Sequence, residues 1–435
     1  MPFYLLKRHN NLMEPPFPRR KGRFLDFLHC NYSIIFKPIL DMKLKKIYTN
    51  LLFKVFCGIL IGILVGWLTI KGWFPQWTYR ILLTFKVLFS SFLGFAIPLI
   101  IMGLVMPSIS KLGKSAGRLL LITVGIAYAF TLFSGFSTYF ASEAIFPTLL
   151  ENQRIDPMVD EMVLTPFFTI QMPPITDIMT ALVLSFIMGI GLSLREKSTL
   201  FQVIEEFGEI VNWLIAKAII PVLPYYIMAI FAEITFGGKV VSVIAVFFKL
   251  IVVLFIMHIL LLIIQYLIAG GIAKKNPFKS LTTMLPAYAT ALGTQSSAAT
   301  IPVTLQQATK MGVSPRIAGF VIPLCATIHL SGSTMKITSC AMALMILEGM
   351  PFDIELFSGF IMMLGIIMVA APGVPGGAIM AALGILSSML GFSEEQQGLM
   401  IALYVAMDSF GTACNVTGDG AVALIVNKIE ENKEK

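Results

Sequence analysis

The stretch Met407–Val426, MDSFGTACNVTGDGAVALIV, carries the pattern that decides the fold. It is apolar and rich in small residues, yet it includes Asp408, Asn415 and Asp419. A charged side chain at bilayer depth is costly unless a partner compensates it, and such residues usually belong to functional sites. The stretch therefore predicts a membrane helix whose carboxylates bind a cation or an ammonium group that comes and goes.

The composition of the whole chain agrees with a membrane protein. Of its 435 residues, 57% are hydrophobic and 13% are charged, whereas soluble domains hold about 25% charged residues. The mean hydropathy is +0.85. Repeated apolar runs reach the roughly 20 residues that cross a bilayer core. We therefore expect an all-α polytopic membrane protein with the lipid bilayer around it.

The net charge of +8 does not indicate a nucleic-acid partner, because the basic residues lie in short loops between apolar runs. Cytoplasmic loops of polytopic proteins carry an excess of lysine and arginine. Basic and acidic loops alternate here, so we expect a multi-pass protein of the cell inner (plasma) membrane with both termini in the cytoplasm. The basic loops carry Lys111, Lys114, Arg118, Arg195, Lys197, Lys274, Lys275, Lys279, Lys310 and Arg316.

The first 41 residues differ from the rest of the chain. They contain no long apolar run, and they include PPFPRRK at 15–21. Met42 then begins MKLKKIYTN, which is typical of a start before a first membrane helix. We expect residues 1–41 to be an N-terminal extension that is disordered or not native, residues 42–427 to be the membrane domain, and residues 428–435 to be a cytoplasmic tail.

Hydropathy predicts eight apolar helices with boundaries good to a few residues. They lie at about 48–70, 81–106, 117–141, 176–194, 200–232, 239–271, 316–347 and 396–427. Two further regions, 276–310 and 354–392, place polar residues, glycine or proline in the middle of apolar sequence: ALGTQSSAATIPVT at Ala291–Thr304 and AAPGVPGGAIM at Ala370–Met380.

Non-helical backbone at membrane depth is tolerated only when it is buried in protein or lines a watery cavity. Glycine and proline could simply kink one packed helix, but two such regions favour a pair of re-entrant helical hairpins whose tips meet near the midplane. Interrupted helices of this kind mark binding sites in transporters. The expected fold is thus eight transmembrane helices plus two re-entrant hairpins.

Between these regions lies PLCATIHLSGSTMK at Pro323–Lys336, whose polar residues around Gly332 predict another unwound segment. Four motifs now occur in order: SSAATIPVT at 296–304, ATIHLSG at 326–332, GVPG at 373–376 and NVTGD at 415–419. Together they resemble the dicarboxylate/amino acid:cation symporter family, the glutamate-transporter homologues.

The resemblance implies a sodium-coupled symporter that moves a small-molecule substrate by an elevator-type movement. It also implies a homotrimer in which each protomer works independently. Scaffold helices at about 48–106 and 176–232 would hold a mobile transport part at about 117–141 and 239–427.

The resemblance also implies roles for individual residues. Asp408 would bind the substrate's α-ammonium group, and Ser297 with the 373–376 tip would hold its α-carboxylate. The implied substrate-binding residues are Ser296, Ser297, Ser333, Val374, Pro375, Gly376, Asp408, Gly411, Thr412 and Asn415. The Asp419 carboxylate and the backbone carbonyls of Cys325, His329 and Asn415 would bind one sodium ion, and the carbonyl of Thr327 would contribute to a second site. Chemistry alone indicates that one of Asp408 and Asp419 binds a cation and the other binds an amine, and it does not assign which acid does which.

This chain departs from the family pattern at the position whose residue binds the substrate's side chain. Carriers of acidic amino acids place an arginine four residues before the asparagine, where this chain has Gly411. Without a bidentate partner for a second carboxylate, we expect a neutral amino acid, with a cystine-like or other substrate as further possibilities. A dicarboxylate or acidic amino acid is the alternative.

A second departure concerns the innermost sodium site. The family's aspartate in the 329–333 segment is Ser331 here, and the stretch 119–127 of the third helix lacks most of the expected hydroxyl groups. We therefore predict that this sodium site is absent. One hypothesis is that Lys336 or protonated His329 replaces that cation, giving fewer sodium ions or partial proton coupling. The alternative is that Lys336 snorkels or faces the scaffold and that His329 is a neutral hydrogen-bonding residue.

Other function classes fit the sequence less well. A channel needs a continuous polar path, whereas the polar residues cluster at one depth. The chain has no HExxH motif and no GxxxxGK[ST] loop, so neither an enzyme nor an ATP-driven pump is expected.

Overall fold

The computed structural model describes residues 51–114, 118–150, 164–194, 199–238, 240–371, 373 and 375–433. The expectations about residues 1–41 and about Met42 lie outside these ranges. Every regular element in the described part is helical. We label the helices α1 Leu51–Ile70, α2 Gln76–Lys114, α3 Arg118–Leu150, α4 Ile178–Ser193, α5 Thr199–Leu214, α6 Ile220–Phe236, α7 Val240–Ala273, α8 Pro277–Thr283, α9 Leu285–Thr294, α10 Ser297–Lys310, α11 Pro315–Ile328, α12 Ser331–Leu347, α13 Ile354–Ala370, α14 Gly377–Ser388, α15 Glu394–Ala406 and α16 Asp408–Glu431.

Six helical segments in the described part are long and apolar enough to cross a bilayer. A seventh results if α15 and α16 count as one bent span. The six are Leu51–Ile70, Gln76–Ser110, Arg118–Leu150, Thr199–Phe236, Val240–Ala273 and Pro315–Leu347. A short π-helix, Ile215–Ile219, joins α5 to α6. The polytopic, all-α character predicted from composition is therefore confirmed.

Large apolar side chains on the outside of the bundle agree with a lipid environment. On α1, Phe56, Leu60 and Leu64 are each about half exposed. Trp73 in the turn that follows α1 and Trp77 in the first turn of α2 are exposed, and tryptophan is enriched at membrane–water interfaces.

Helix α1 packs on α6 through a row of glycines spaced four residues apart. A Cβ added to the second of them, Gly62, would lie 2.3 Å from the carbonyl oxygen of Met228. Close backbone approach through small residues is how membrane helices associate, because lipid removes most of the hydrophobic driving force. The row consists of Gly58, Gly62 and Gly66.

Three helix interruptions lie around the last helix. Gln295 has a left-handed backbone (φ 54°) between α9 and α10, and Gly376 has one (φ 74°) before α14. His329 and Leu330 are non-helical between α11 and α12. The predicted interrupted regions therefore contain helix pairs with non-helical joints, and the predicted helix at 316–347 is indeed broken.

The unwound segment predicted within Pro323–Lys336 is confirmed: its non-helical residues are His329 and Leu330, while Gly332 is helical. A Cβ on Gly332 would lie 2.7 Å from the Gly411 carbonyl oxygen, so this glycine allows α12 to approach α16. The helix predicted at 396–427 is also not continuous, because α15 and α16 meet at Met407 with a bend of 62°. No glycine or proline lies at that joint, so the sequence offered no sign of it.

Candidate functional site

The non-helical joints bring the free ends of several helices to one place. Helix ends leave backbone N–H and C=O groups without intrahelical partners. Ser296 caps α10 and its Oγ donates to the carbonyl oxygen of Gly373 at 3.0 Å, which joins the α9–α10 tip to the α13–α14 tip. The Gln295 Nε2 donates to Ser409 Oγ at 2.8 Å and ties the first tip to α16.

Asp408 lies at the first residue of α16, beside the second tip. The backbone N–H of Gly376 donates to Asp408 Oδ2 at 2.8 Å. Gly376 has φ 74°, a conformation that other residues adopt only with strain. The tip therefore closes directly on the carboxylate that was predicted to bind the substrate's ammonium.

The other oxygen of Asp408 is occupied by a lysine. Lys336 Nζ donates to Asp408 Oδ1 at 2.9 Å, and it lies 3.6 Å from the centre of the Tyr404 ring. The lysine side chain is 0% exposed and the Asp408 side chain 5% exposed. Complete burial excludes the expectation that Lys336 snorkels to the membrane surface. The hypothesis that Lys336 replaces the innermost sodium ion did not include this contact with Asp408.

Lys336 also fills the space beside Gly411. A Cβ on Gly411 would lie 2.3 Å from Lys336 Cε and 2.6 Å from its Nζ. The space that Gly411 leaves open is therefore taken by the protein's own lysine in this structure.

Ser333 and Asn415 are buried and bound to each other. Asn415 Nδ2 donates to Ser333 Oγ at 3.1 Å, and Tyr404 donates from its hydroxyl to the same oxygen at 2.9 Å. The Asn415 Oδ1 accepts from the backbone N–H of Gly332 at 2.8 Å. These bonds hold the start of α12 against α16. Ser333 and Asn415, which were predicted to contact the substrate, are therefore also hydrogen-bonded within the protein.

Asp419 is the second buried acid and pairs with a histidine. His329 Nδ1 and Asp419 Oδ1 are 2.9 Å apart, with side-chain exposures of 0% and 1%. This agrees with the reading of His329 as a hydrogen-bonding residue. Only the His329 carbonyl, not its ring, had been predicted as a neighbour of the sodium ion.

The remaining predicted sodium ligands lie near this pair along α11. The Cys325 carbonyl accepts the His329 N–H at 2.9 Å, and a carbonyl oxygen keeps a second lone pair. Thr327 is exposed, and its hydroxyl donates to the Leu324 carbonyl. Thr417 Oγ1, two residues before Asp419, is buried without a hydrogen-bond partner among the described residues.

Two residues of α3 beyond the stretch 119–127 also face this region. Ser134 Oγ donates to the Ser331 carbonyl at 2.7 Å, and the Phe130 ring lies 6.2 Å from the His329 ring. Helix α3 therefore presents the Ser134 hydroxyl here, and the absence of the innermost sodium site stays a prediction.

The other predicted substrate residues are placed as follows. Ser297 and Thr412 are buried, Pro375 is half-buried, and Val374 lies outside the described residues. Tyr404 was missed by the sequence analysis. It precedes Asp408 by four residues, but the bend at Met407 made its position unpredictable from a continuous helix.

Comparisons with known proteins identify the family of the chain. A model of the sodium:dicarboxylate symporter family matches residues 51–429. The serine/threonine transporter SstT of Acinetobacter baumannii (strain AYE) is 29% identical over 391 residues, covering 85% of this chain and 94% of that protein. The excitatory amino acid transporter 2 of Mus musculus is 25% identical over 260 residues, covering 58% of this chain and 45% of that protein. The chain therefore belongs to the sodium:dicarboxylate symporter family and is a membrane transporter rather than an enzyme.

Proposed function

We propose that this protein couples sodium entry to the uptake of a small amino acid with a neutral side chain. The observation that carries the proposal is the closure of two helix tips over Asp408: Ser296 Oγ lies 3.0 Å from the Gly373 carbonyl and Gly376 N lies 2.8 Å from Asp408 Oδ2. Tip amides suit a carboxylate and Asp408 suits an ammonium group, so one zwitterion satisfies both.

The membrane arrangement belongs to this proposal. Eight transmembrane helices and two re-entrant hairpins, α9–α10 and α13–α14, place the site near the midplane. Helices α1, α2, α4, α5 and α6 form the scaffold, and the rest of the described bundle moves as the transport part by an elevator-type movement. The protein works as a homotrimer in the inner (plasma) membrane with both termini in the cytoplasm.

Sodium fits the residues around Asp419. A buried carboxylate, neighbouring backbone carbonyls and the unpartnered Thr417 hydroxyl are hard oxygen donors, the donor type that hard cations prefer. We assign one sodium to Asp419 with the carbonyls of Cys325, His329 and Asn415. The Thr327 carbonyl contributes to a second ion. Absence of the innermost sodium site and partial proton coupling through His329 stay predictions.

The experiment is uptake into proteoliposomes of purified protein. L-Serine is the first probe, because one relative is named a serine/threonine transporter, and L-alanine, L-aspartate and succinate complete the panel. We expect accumulation of a neutral amino acid that collapses when choline replaces external sodium. Accumulation that persists without a sodium gradient would contradict symport.

Transport of a dicarboxylate or an acidic amino acid is the second candidate. One observation favours it: Lys336 Nζ lies only 2.6 Å from the position that a Cβ on residue 411 would occupy. A positive charge is thus present close to where the family's acidic carriers have an arginine, although Asp408 neutralises it. Sodium-dependent uptake of aspartate or succinate without uptake of neutral amino acids would select this candidate.

A further inference from the structure

The Lys336–Asp408 pair joins two helices at the centre of the proposed substrate site. Both Asp408 oxygens are engaged: Oδ1 by Lys336 Nζ at 2.9 Å and Oδ2 by the Gly376 N–H at 2.8 Å. An amino acid that binds here brings its own ammonium group to the same carboxylate. Lys336 and the substrate's ammonium are therefore alternative partners for Asp408 Oδ1.

An unpaired carboxylate buried in protein is strongly unfavourable, because it loses its hydration without gaining a counter-charge. A symporter has to recross the membrane after it releases its substrate, and in that step Asp408 has no substrate ammonium. In this structure the second tip is closed over Asp408, which is only 5% exposed, and Lys336 supplies its counter-charge.

Resting on the function proposed above, we propose that Lys336 is a tethered counter-cation for the return of the empty carrier. Its ammonium group neutralises Asp408 when substrate is absent, and the substrate's ammonium displaces it when substrate binds. The empty transport part then recrosses the membrane with the second tip closed and needs no cation from solution at Asp408.

The surroundings of Lys336 provide a position for the displaced ammonium. Its Nζ lies 3.6 Å from the centre of the Tyr404 ring, and an aromatic face stabilises a desolvated cation. The stem of the side chain lies against Gly411, so a small rotation at its end separates Nζ from Oδ1 while the stem stays in place.

The test compares two assays on the same proteoliposomes. Exchange of external radiolabelled L-serine for internal L-serine, with sodium on both sides, uses only the loaded carrier. Net uptake into L-serine-free vesicles under a sodium gradient also needs the empty carrier to return. For Lys336→Met we expect exchange to be retained and net uptake to fall roughly tenfold or more, because Asp408 then has no counter-charge.

A matched control is Lys249→Met on α7, because the ammonium group of Lys249 donates to the Leu149 carbonyl on α3, away from Asp408. It should leave the ratio of net uptake to exchange unchanged. Equal loss of exchange and net uptake in Lys336→Met, or no loss of either, would overturn the inference.

A measurement on the wild-type protein does not depend on the variant folding. Net L-serine uptake should be the same with choline or with potassium inside the vesicles, at equal pH on both sides. A requirement for internal potassium would overturn the inference, because an external cation would then support the return. A wild-type protein that neither exchanges nor accumulates any amino acid would instead refute the proposed function itself.

Discussion

The side chain of Lys336 lies directly against Gly411, so that a Cβ at position 411 would fall 2.3 Å from the lysine Cε. The two residues are on α12 and α16, which meet at the proposed substrate site. The glycine and the lysine therefore form one unit: the absence of a side chain at position 411 permits the buried Lys336–Asp408 pair.

Adding a methyl group at position 411 should damage this unit. We expect Gly411→Ala to lower the free energy of unfolding by ~1–3 kcal/mol, the usual cost of overpacking a well-filled core. The measurement is thermal unfolding of the purified protein in detergent. In a Lys336→Ala background, Gly411→Ala should lower the free energy of unfolding by clearly less, because the lysine side chain that the new Cβ would overlap is absent. An equal destabilisation in both backgrounds would contradict the contact between Gly411 and Lys336.

Asp419 should control the response to sodium. We expect Asp419→Asn to raise the half-saturating sodium concentration for uptake by roughly tenfold or more, since the ion loses its only carboxylate ligand in the proposed site. Glu355→Gln is a suitable control, because Glu355 is an exposed acid at the start of α13. An unchanged sodium dependence in Asp419→Asn would refute the assignment.

His329 should compete with sodium for Asp419, because its Nδ1 lies 2.9 Å from Asp419 Oδ1. Replacing it by alanine leaves the buried carboxylate without this partner in sodium-free protein. We expect His329→Ala to lower the melting temperature without sodium and to enlarge the upward shift that sodium causes, as linkage requires for a ligand of the folded state. A smaller sodium shift would mean that the imidazole supports the ion instead.

The glycine row on α1 should be needed for stability. A Cβ at Gly62 would lie 2.3 Å from the Met228 carbonyl oxygen, which is backbone and cannot swing away, whereas a Cβ at Gly125 meets no atom within 4 Å. We expect Gly62→Ala to destabilise the protein by about 2 kcal/mol or more. Gly125→Ala should be neutral or slightly stabilising, because alanine favours the helix. Equal melting temperatures for the two variants would contradict the tight α1–α6 contact.

Much of the fold follows from local sequence. The apolar runs predict membrane helices because their length matches the bilayer, and the two interrupted regions predict non-helical joints because glycine, proline and polar residues are unsuited to a lipid-facing helix. The bend of 62° at Met407 did not follow, because no glycine or proline marks the joint.

Local sequence is enough to place Asp408 and Asp419 in an apolar, helical region where they need partners, because buried charge is costly wherever it occurs. Which partners they have depends on the packing of distant helices. Lys336 and Asp408 are 72 residues apart, and His329 and Asp419 are 90 apart. Such pairs form when the broken ends of α12 and α11 meet α16. The distances between those ends depend on how all the helices pack, which no local pattern records.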